Sequence, residues 1–266
     1  MKTLFIFLAQ LGRKALDDDL FALSNELAYK ILLAFFPFLV FLVSLLGFLE
    51  LEGSAAWTRL FEALPLEAGA VLESFVAELQ MRPPKGLLSA SLLVSIYSAS
   101  NGFRAILRGV NKAHGYRDER SWLKKTALCA ALMGIFTFSI IVMLALWIFS
   151  DELFLALSGF FPYGLVPQLV TSLISLAVLI GATTWMYRLA CSKGVGSFLP
   201  GAFATVALWA LSSYAFGVFI SRYSNISMIY GSIAGVFILI VWLNLISFFL
   251  LLGNTVNALL NIRHYG

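Results

Sequence analysis

The stretch Ile229–Leu252 reads IYGSIAGVFILIVWLNLISFFLLL and contains no charged residue. An α-helix needs about 20 mostly apolar residues to cross the hydrocarbon core of a bilayer, so this stretch predicts a transmembrane helix. The composition agrees, because 61% of the residues are hydrophobic and only 12% are charged. A soluble domain carries about 25% charged residues. The apolar runs are continuous rather than alternating, which indicates helices and not barrel strands.

Further runs of this kind extend over the chain. The predicted fold class is all-α: a polytopic membrane helical bundle with six transmembrane helices in a single domain, residues 1–266. The predicted spans lie at about residues 27–49, 87–110, 126–149, 166–187, 200–221 and 229–252. The second span is the least apolar of the six.

The charges in the loops predict the orientation. Arg104–Lys125 holds seven basic residues against Asp118 and Glu119, and the positive-inside rule assigns that loop to the cytoplasm. Glu50–Lys85 carries six glutamates against three basic residues, which favours the outside. Both termini are therefore predicted to be cytoplasmic.

Two non-spanning segments have amphipathic patterns. Met1–Ser24 predicts an amphipathic helix on the inner surface, with a break near Asp17–Asp19. Glu50–Lys85 predicts two short amphipathic helices in the first outer loop, where apolar residues recur at i, i+3, i+4 and i+7. These short helices either lie in the interface or form a lid over an outward-facing opening.

The second span carries one polar face, which becomes basic toward its end. A helical period places seven polar residues on it: Ser91, Ser95, Ser98, Asn101, Arg104, Arg108 and Asn111. Polar groups at membrane depth are costly, and they indicate a functional site. In the functional interpretation this face lines a substrate path, and its guanidinium groups bind a phosphate. In the structural interpretation the arginines anchor the helix at the headgroups and the serines allow close packing.

Four other residues are secondary candidates for the path: Glu26, Tyr29, Asn244 and Arg222. Asn244 is isolated among apolar residues and is predicted to hydrogen-bond another helix. Glu26 and Lys30 are spaced for an ion pair at i, i+4. Arg222 is a candidate for an outer gate.

Catalysis finds little support in the residues. The two histidines, His114 and His264, lie at predicted cytoplasmic edges, and the chain has no HExxH, CxxC or GxSxG motif. The chain is therefore predicted not to be an enzyme, and no cofactor, metal or nucleic-acid partner is expected. Cys129 and Cys191 fall near the inner ends of helices, where reduced thiols or packing residues are expected.

Several motifs resemble the YihY/BrkB family of bacterial inner-membrane proteins. They are AYKILLAFFPF (Ala28–Phe38), NGFRAILRGVNKAHG (Asn101–Gly115), PGAF (Pro200–Phe203) and YGSIAGVFILIVWLNLISFFLLLGNTVNA (Tyr230–Ala258). The matching positions are Tyr29, Pro37, Asn111, Gly201, Tyr230, Gly231, Trp242 and Gly253. This chain has Asn254 and Thr255 where the family often has Ala and Glu, so that glutamate's role does not carry over.

The resemblance implies a role in the cell envelope. The family carries an old ribonuclease label that is regarded as a misassignment, and members are tied to serum resistance or to lipid transport. We expect a protein that translocates or hands over a phospholipid or another amphiphilic anion, with membrane lipids as partners. The alternative is a non-transporting scaffold for envelope-biogenesis machinery. Further candidate partners are envelope proteins and a second copy of the chain, which would form a homo-oligomer.

Overall fold

The computed structural model describes residues 2–48, 87–148, 166–193, 196–222 and 226–265, with side chains in most of these ranges. These residues form seven α-helices: α1 Lys2–Asp17, α2 Leu20–Phe48, α3 Leu87–Ala113, α4 Trp122–Ile148, α5 Val166–Ala190, α6 Leu199–Arg222 and α7 Ile226–Tyr265. The two short helices predicted in Glu50–Lys85 lie outside the described residues. Within the described part of the chain the fold is all-α, as predicted.

The helix ends follow from local chemistry. Asp19 has a φ of 53° between α1 and α2, a left-handed conformation that aspartate tolerates better than most residues. The predicted break at Asp17–Asp19 is thereby confirmed. Gly115, with a φ of 69°, ends α3 in a Schellman motif, since Tyr116 N donates to Asn111 O and Gly115 N to Lys112 O. Residues beyond Gly115 therefore turn back toward α3.

The contacts divide the chain into two compact units, residues 1–32, 99–139 and 176–266 in the first and 33–98 and 140–175 in the second. The core of the first unit takes buried side chains from α2 to α7, among them Leu27, Val110, Leu132, Met186, Ala202 and Leu250. A smaller cluster of Ala15, Leu20 and Leu251 holds α1 against α2 and α7. Every contact discussed below lies within the first unit.

Four of the described helices are long and apolar enough to cross a membrane, at Trp122–Met143, Leu169–Ala190, Leu199–Phe219 and Phe237–Asn261. Only 17% to 33% of the most apolar window in each is buried inside the protein. Large apolar side chains such as Phe138, Trp185 and Tyr214 are exposed. A surface of this kind is stable in lipid and not in water. The chain is therefore a helical membrane protein.

The predicted count of six spans is supported in part. The last four predicted spans correspond to α4, α5, α6 and α7, which contain the four apolar segments. The first two correspond to α2 and α3, which are helical but are not among those four. That α2 and α3 cross the membrane remains a prediction.

Helices α6 and α7 approach so closely that only glycine fits at two positions. A Cβ on Gly201 would lie 2.1 Å from the carbonyl oxygen of Gly253, and a Cβ on Gly253 would lie 1.8 Å from Thr205 Oγ1. Trp209 Nε1 donates to Ile246 O at 2.9 Å farther along the same pair of helices. Small residues thus allow backbone-to-backbone packing here, as is common between membrane helices.

Candidate functional site

A basic cavity of about 710 Å³ opens beside the C-terminal half of α3. It is lined by Leu23, Arg104, Leu107, Arg108, Asn111, Lys112, Gly115, Tyr116, Arg117, Asp118 and Lys125. The lining includes five cationic side chains and one carboxylate. We call this space the basic cavity. Its electrostatic character suits an anionic ligand.

The positions of these cations follow from the helix period and from the turn at Gly115. Arg104, Arg108 and Lys112 are spaced at i, i+4 and i+8, so they lie on one face of α3. The Schellman motif reverses the chain after Ala113. Ser121 caps the N-terminus of α4, because its Oγ accepts from Lys124 N at 3.5 Å. Arg117 and Lys125 therefore face the same cavity as the basic side chains of α3.

Two of the cations on α3 are paired with acids that precede them by more than 80 residues. Arg108 donates to Glu26 Oε1, and Lys112 Nζ lies 3.0 Å from Asp19 Oδ2. Glu26 also accepts from Lys30 Nζ at 2.5 Å, which confirms the predicted i, i+4 pair. These contacts join the start of α2 to α3, and they neutralise part of the positive charge.

Arg104 has a different environment. Its Nη2 donates to Thr126 Oγ1 at 3.0 Å, and its guanidinium carbon lies 5.7 Å from the centre of the Trp122 ring. Its Nε is buried and has no hydrogen-bond partner among the described residues. No carboxylate of the described chain pairs with this arginine, so no ion pair compensates its positive charge there.

Arg120 holds the turn between α3 and α4 against the end of α5. It donates to Leu189 O at 3.0 Å and to Ala190 O at 2.7 Å, the last carbonyls of α5. Its Nε also donates to Asp118 Oδ1 at 2.8 Å. Burial raises the pKa of Asp118, but the hydrogen bonds and the charge of Arg120, with a smaller effect of Lys125, outweigh burial and hold that pKa below its ordinary value. From the sequence, Arg120 was predicted only to contribute to the positive charge of the loop.

Asn111 is buried, and its side-chain amide forms hydrogen bonds with backbone groups. Its Nδ2 donates to Leu107 O at 2.7 Å and to Ala190 O at 2.9 Å, while its Oδ1 accepts from Ser192 N at 2.8 Å. Asn111 borders the basic cavity, yet these bonds leave the amide little capacity for a ligand. In this structure it positions α5 against α3.

The other predicted path residues are distributed around this region. Asn101 is half-buried on α3, and Asn25 accepts from Asn244 Nδ2, which confirms that Asn244 bonds to another helix. Tyr29 is 61% exposed. Ser91, Ser95, Ser98 and Arg222 belong to described helices, but their side chains lie outside the described set.

A buried polar network, which was not predicted from the sequence, joins α5, α6 and α7. Tyr187 Oη lies 2.7 Å from Thr205 Oγ1 and donates to Leu250 O at 2.5 Å. Asn257 Oδ1 accepts from Gly201 N at 2.6 Å. Asn254, one of the two residues at the departure from the family pattern, is fully buried and donates to Val110 O at 3.3 Å. For Asn254 and Asn257, the sequence signal was a polar residue within the otherwise apolar segment that follows Gly253.

The cysteines and the possible metal ligands were also compared with the predictions, within the described residues. Cys129 and Cys191 are buried free thiols, as predicted. Within the same ranges, no three His, Cys, Asp or Glu side chains come close enough to hold a metal ion.

The helices and the lipid-compatible surface define a multi-helix membrane protein. Residues 11–266 match the family described as Virulence factor BrkB, and the chain belongs to that family. It is 32% identical over 256 residues to the putative ribonuclease-like protein YfkH of Bacillus subtilis (strain 168), covering 90% of each chain. It is 28% identical over 270 residues to a UPF0761 membrane protein of Tolumonas auensis, covering 96% of this chain and 85% of that one. No solved structure matches it.

Proposed function

We propose that this protein binds a phospholipid or another amphiphilic anion at the cytoplasmic face of the bacterial inner membrane. It then translocates that molecule or hands it over to another component. The proposal keeps the predicted topology of six spans with both termini inside. The ribonuclease-like wording belongs to the name of YfkH, and we propose a non-enzymatic role for this chain.

The basic cavity is the observation that carries the proposal. Five cationic side chains and one carboxylate line its 710 Å³, so the lining favours an anion. The guanidinium groups match phosphate oxygens in a bidentate geometry. Leu23 and Leu107 also line the cavity and offer apolar contact beside the charges. A ligand with both a charged head and an apolar part suits this combination.

The alternative is a non-transporting scaffold for envelope-biogenesis machinery, in which the basic residues only anchor α3. The ion pairs of Arg108 with Glu26 and of Lys112 with Asp19 support this alternative, because paired cations also serve packing. The two functions predict different results for purified protein in liposomes.

The deciding experiment follows a fluorescent phospholipid in liposomes that contain the full chain. A membrane-impermeant quencher reports how fast the lipid moves between leaflets. Transport predicts faster exchange than in empty liposomes. We expect Arg104→Ala to reduce that rate by about tenfold, because a charge-assisted hydrogen bond contributes about 1.5–3 kcal/mol.

Arg188→Ala is the matched control, since Arg188 is exposed at the end of α5 and does not line the basic cavity. We expect this variant to retain the rate of the unaltered protein. Equal loss in Arg104→Ala and Arg188→Ala would favour anchoring. No acceleration by folded protein would contradict autonomous translocation and favour the scaffold.

A further inference from the structure

We infer that the basic cavity selects a phosphomonoester dianion over the singly charged phosphodiester of common phospholipids. The inference rests on the proposed function, because it names the headgroup class for the same site. The pairing of the cations in the lining and the charge of the phosphate group decide this preference.

Two of the five cations in the lining have no carboxylate partner. Arg108 pairs with Glu26, Lys112 with Asp19, and Lys125 Nζ lies 3.9 Å from Asp118 Oδ2. In the described part of the chain, Arg104 and Arg117 form no such pair. Glu26 is shared with Lys30, and Asp118 is shared with Arg120, so these acids do not compensate all of the cations. The lining therefore keeps a net positive charge, which favours a ligand with two negative charges over a ligand with one.

Arg104 is held in place by neighbouring side chains of α4. Its Nη2 donates a hydrogen bond to Thr126 Oγ1, and its Nε is buried inside the protein. The contact with the face of Trp122, at 5.7 Å, helps to hold the guanidinium plane in position.

A phosphate monoester fits the cationic side chains of the basic cavity better than a phosphate diester does. A phosphate monoester presents three terminal oxygens and carries nearly two negative charges at neutral pH. A diester has two such oxygens and one charge. A headgroup that ends in an ammonium would also bring a positive charge toward Lys112 and Lys125, which is unfavourable.

The test measures binding to the full chain in dodecyl maltoside micelles by calorimetry. The probes are dioctanoyl phosphatidate, dioctanoyl phosphatidylglycerol and glycerol 3-phosphate. We expect phosphatidate to bind about tenfold more tightly than phosphatidylglycerol, since the second charge adds a charge-assisted hydrogen bond. Equal affinities for these two lipids would overturn the inference.

Variants assign the effect to the two unpaired arginines. Arg104→Gln and Arg117→Gln should each weaken phosphatidate binding by about tenfold and reduce the preference for it. Arg117 is exposed and unpaired among the described residues, so its variant keeps the test valid if Arg104→Gln fails to fold. Arg188→Gln should bind phosphatidate like the unaltered protein, and an equal loss there would contradict a specific site.

Glycerol 3-phosphate separates a lipid headgroup from a free phosphate ester. If it displaces phosphatidate only at far higher concentration, the site recognises the lipid. Equal affinity would overturn the lipid assignment. Micelles have no opposed leaflets, so binding here is independent of transport. Tight binding without exchange in liposomes would contradict translocation alone, whereas exchange without a phosphatidate preference would contradict this inference alone.

Discussion

At the scale of single residues, the environment determines what each polar group contributes. Arg104 and Arg108 occupy equivalent positions on α3 one turn apart, yet only Arg108 meets a carboxylate. The i, i+4 pair of Glu26 with Lys30 was predictable from spacing, because both residues lie on one helix. The partner of Arg108 was not, because Glu26 is 82 residues away and only the packing of α2 on α3 brings the two together.

His114 provides a prediction at this scale. Burial lowers its pKa below the ordinary value of 6.5, Lys14 lowers it further, and the bond to Val110 O opposes both. The ring lies among Tyr116 and Phe198, with centroids 5.9 and 5.7 Å away, and its Nε2 is buried without a partner in the described ranges. The unfolded chain therefore binds the proton more tightly than the folded protein does.

The sign of the pH effect follows. The contribution of His114 to stability is present above pH 6.5 and is lost as the pH falls from there through the lower pKa of the folded state. We expect the melting temperature in detergent to fall between pH 7.5 and pH 5.5, and to fall less in His114→Phe, which retains the ring packing. Identical falls in both proteins would contradict this role.

At the scale of helices, α6 and α7 approach each other closely at two glycines. Gly201 and Gly253 lie in two of the motifs that resemble the family, but their contact was not predictable, since 52 residues separate them. The structure supplies the reason for both glycines. Each backbone occupies the space that a Cβ on the other helix would need.

Gly253→Ala should therefore destabilise the protein by about 1–3 kcal/mol, because an added methyl overpacks a contact with backbone and with Thr205. Gly217→Ala on α6 is the control, as nothing lies within 4 Å of a Cβ there. Thermal unfolding in detergent, followed by tryptophan fluorescence, compares the two. Equal stability of Gly253→Ala and the unaltered protein would contradict the close approach.

At the scale of the whole molecule, apolar surface and charge asymmetry decide the placement in a membrane. The four apolar segments are buried in the protein over only 17% to 33% of their most apolar windows, so most of that surface is available to lipid. The length of each apolar run made this class predictable from the sequence. The orientation remains a prediction from the basic loop between α3 and α4.

Cysteine labelling tests that orientation. In intact cells, a membrane-impermeant maleimide should label Glu67→Cys, in the predicted outer loop, and should not label Lys124→Cys. Inverted vesicles should show the reverse. Cys129 and Cys191 are buried, so the background is expected to be low. Labelling of Lys124→Cys in intact cells would contradict cytoplasmic termini.

The sequence by itself determined the helical membrane class, the approximate bounds of the helices and the basic face of α3. Those properties depend on run length and on a period of 3.6 residues, which are local. Only the tertiary structure decided which cations are neutralised, that Asn111 bonds to backbone, and that Tyr187 and Thr205 meet in a buried network. The physical reason is that burial and pairing depend on residues distant in sequence, which come together only when the helices pack.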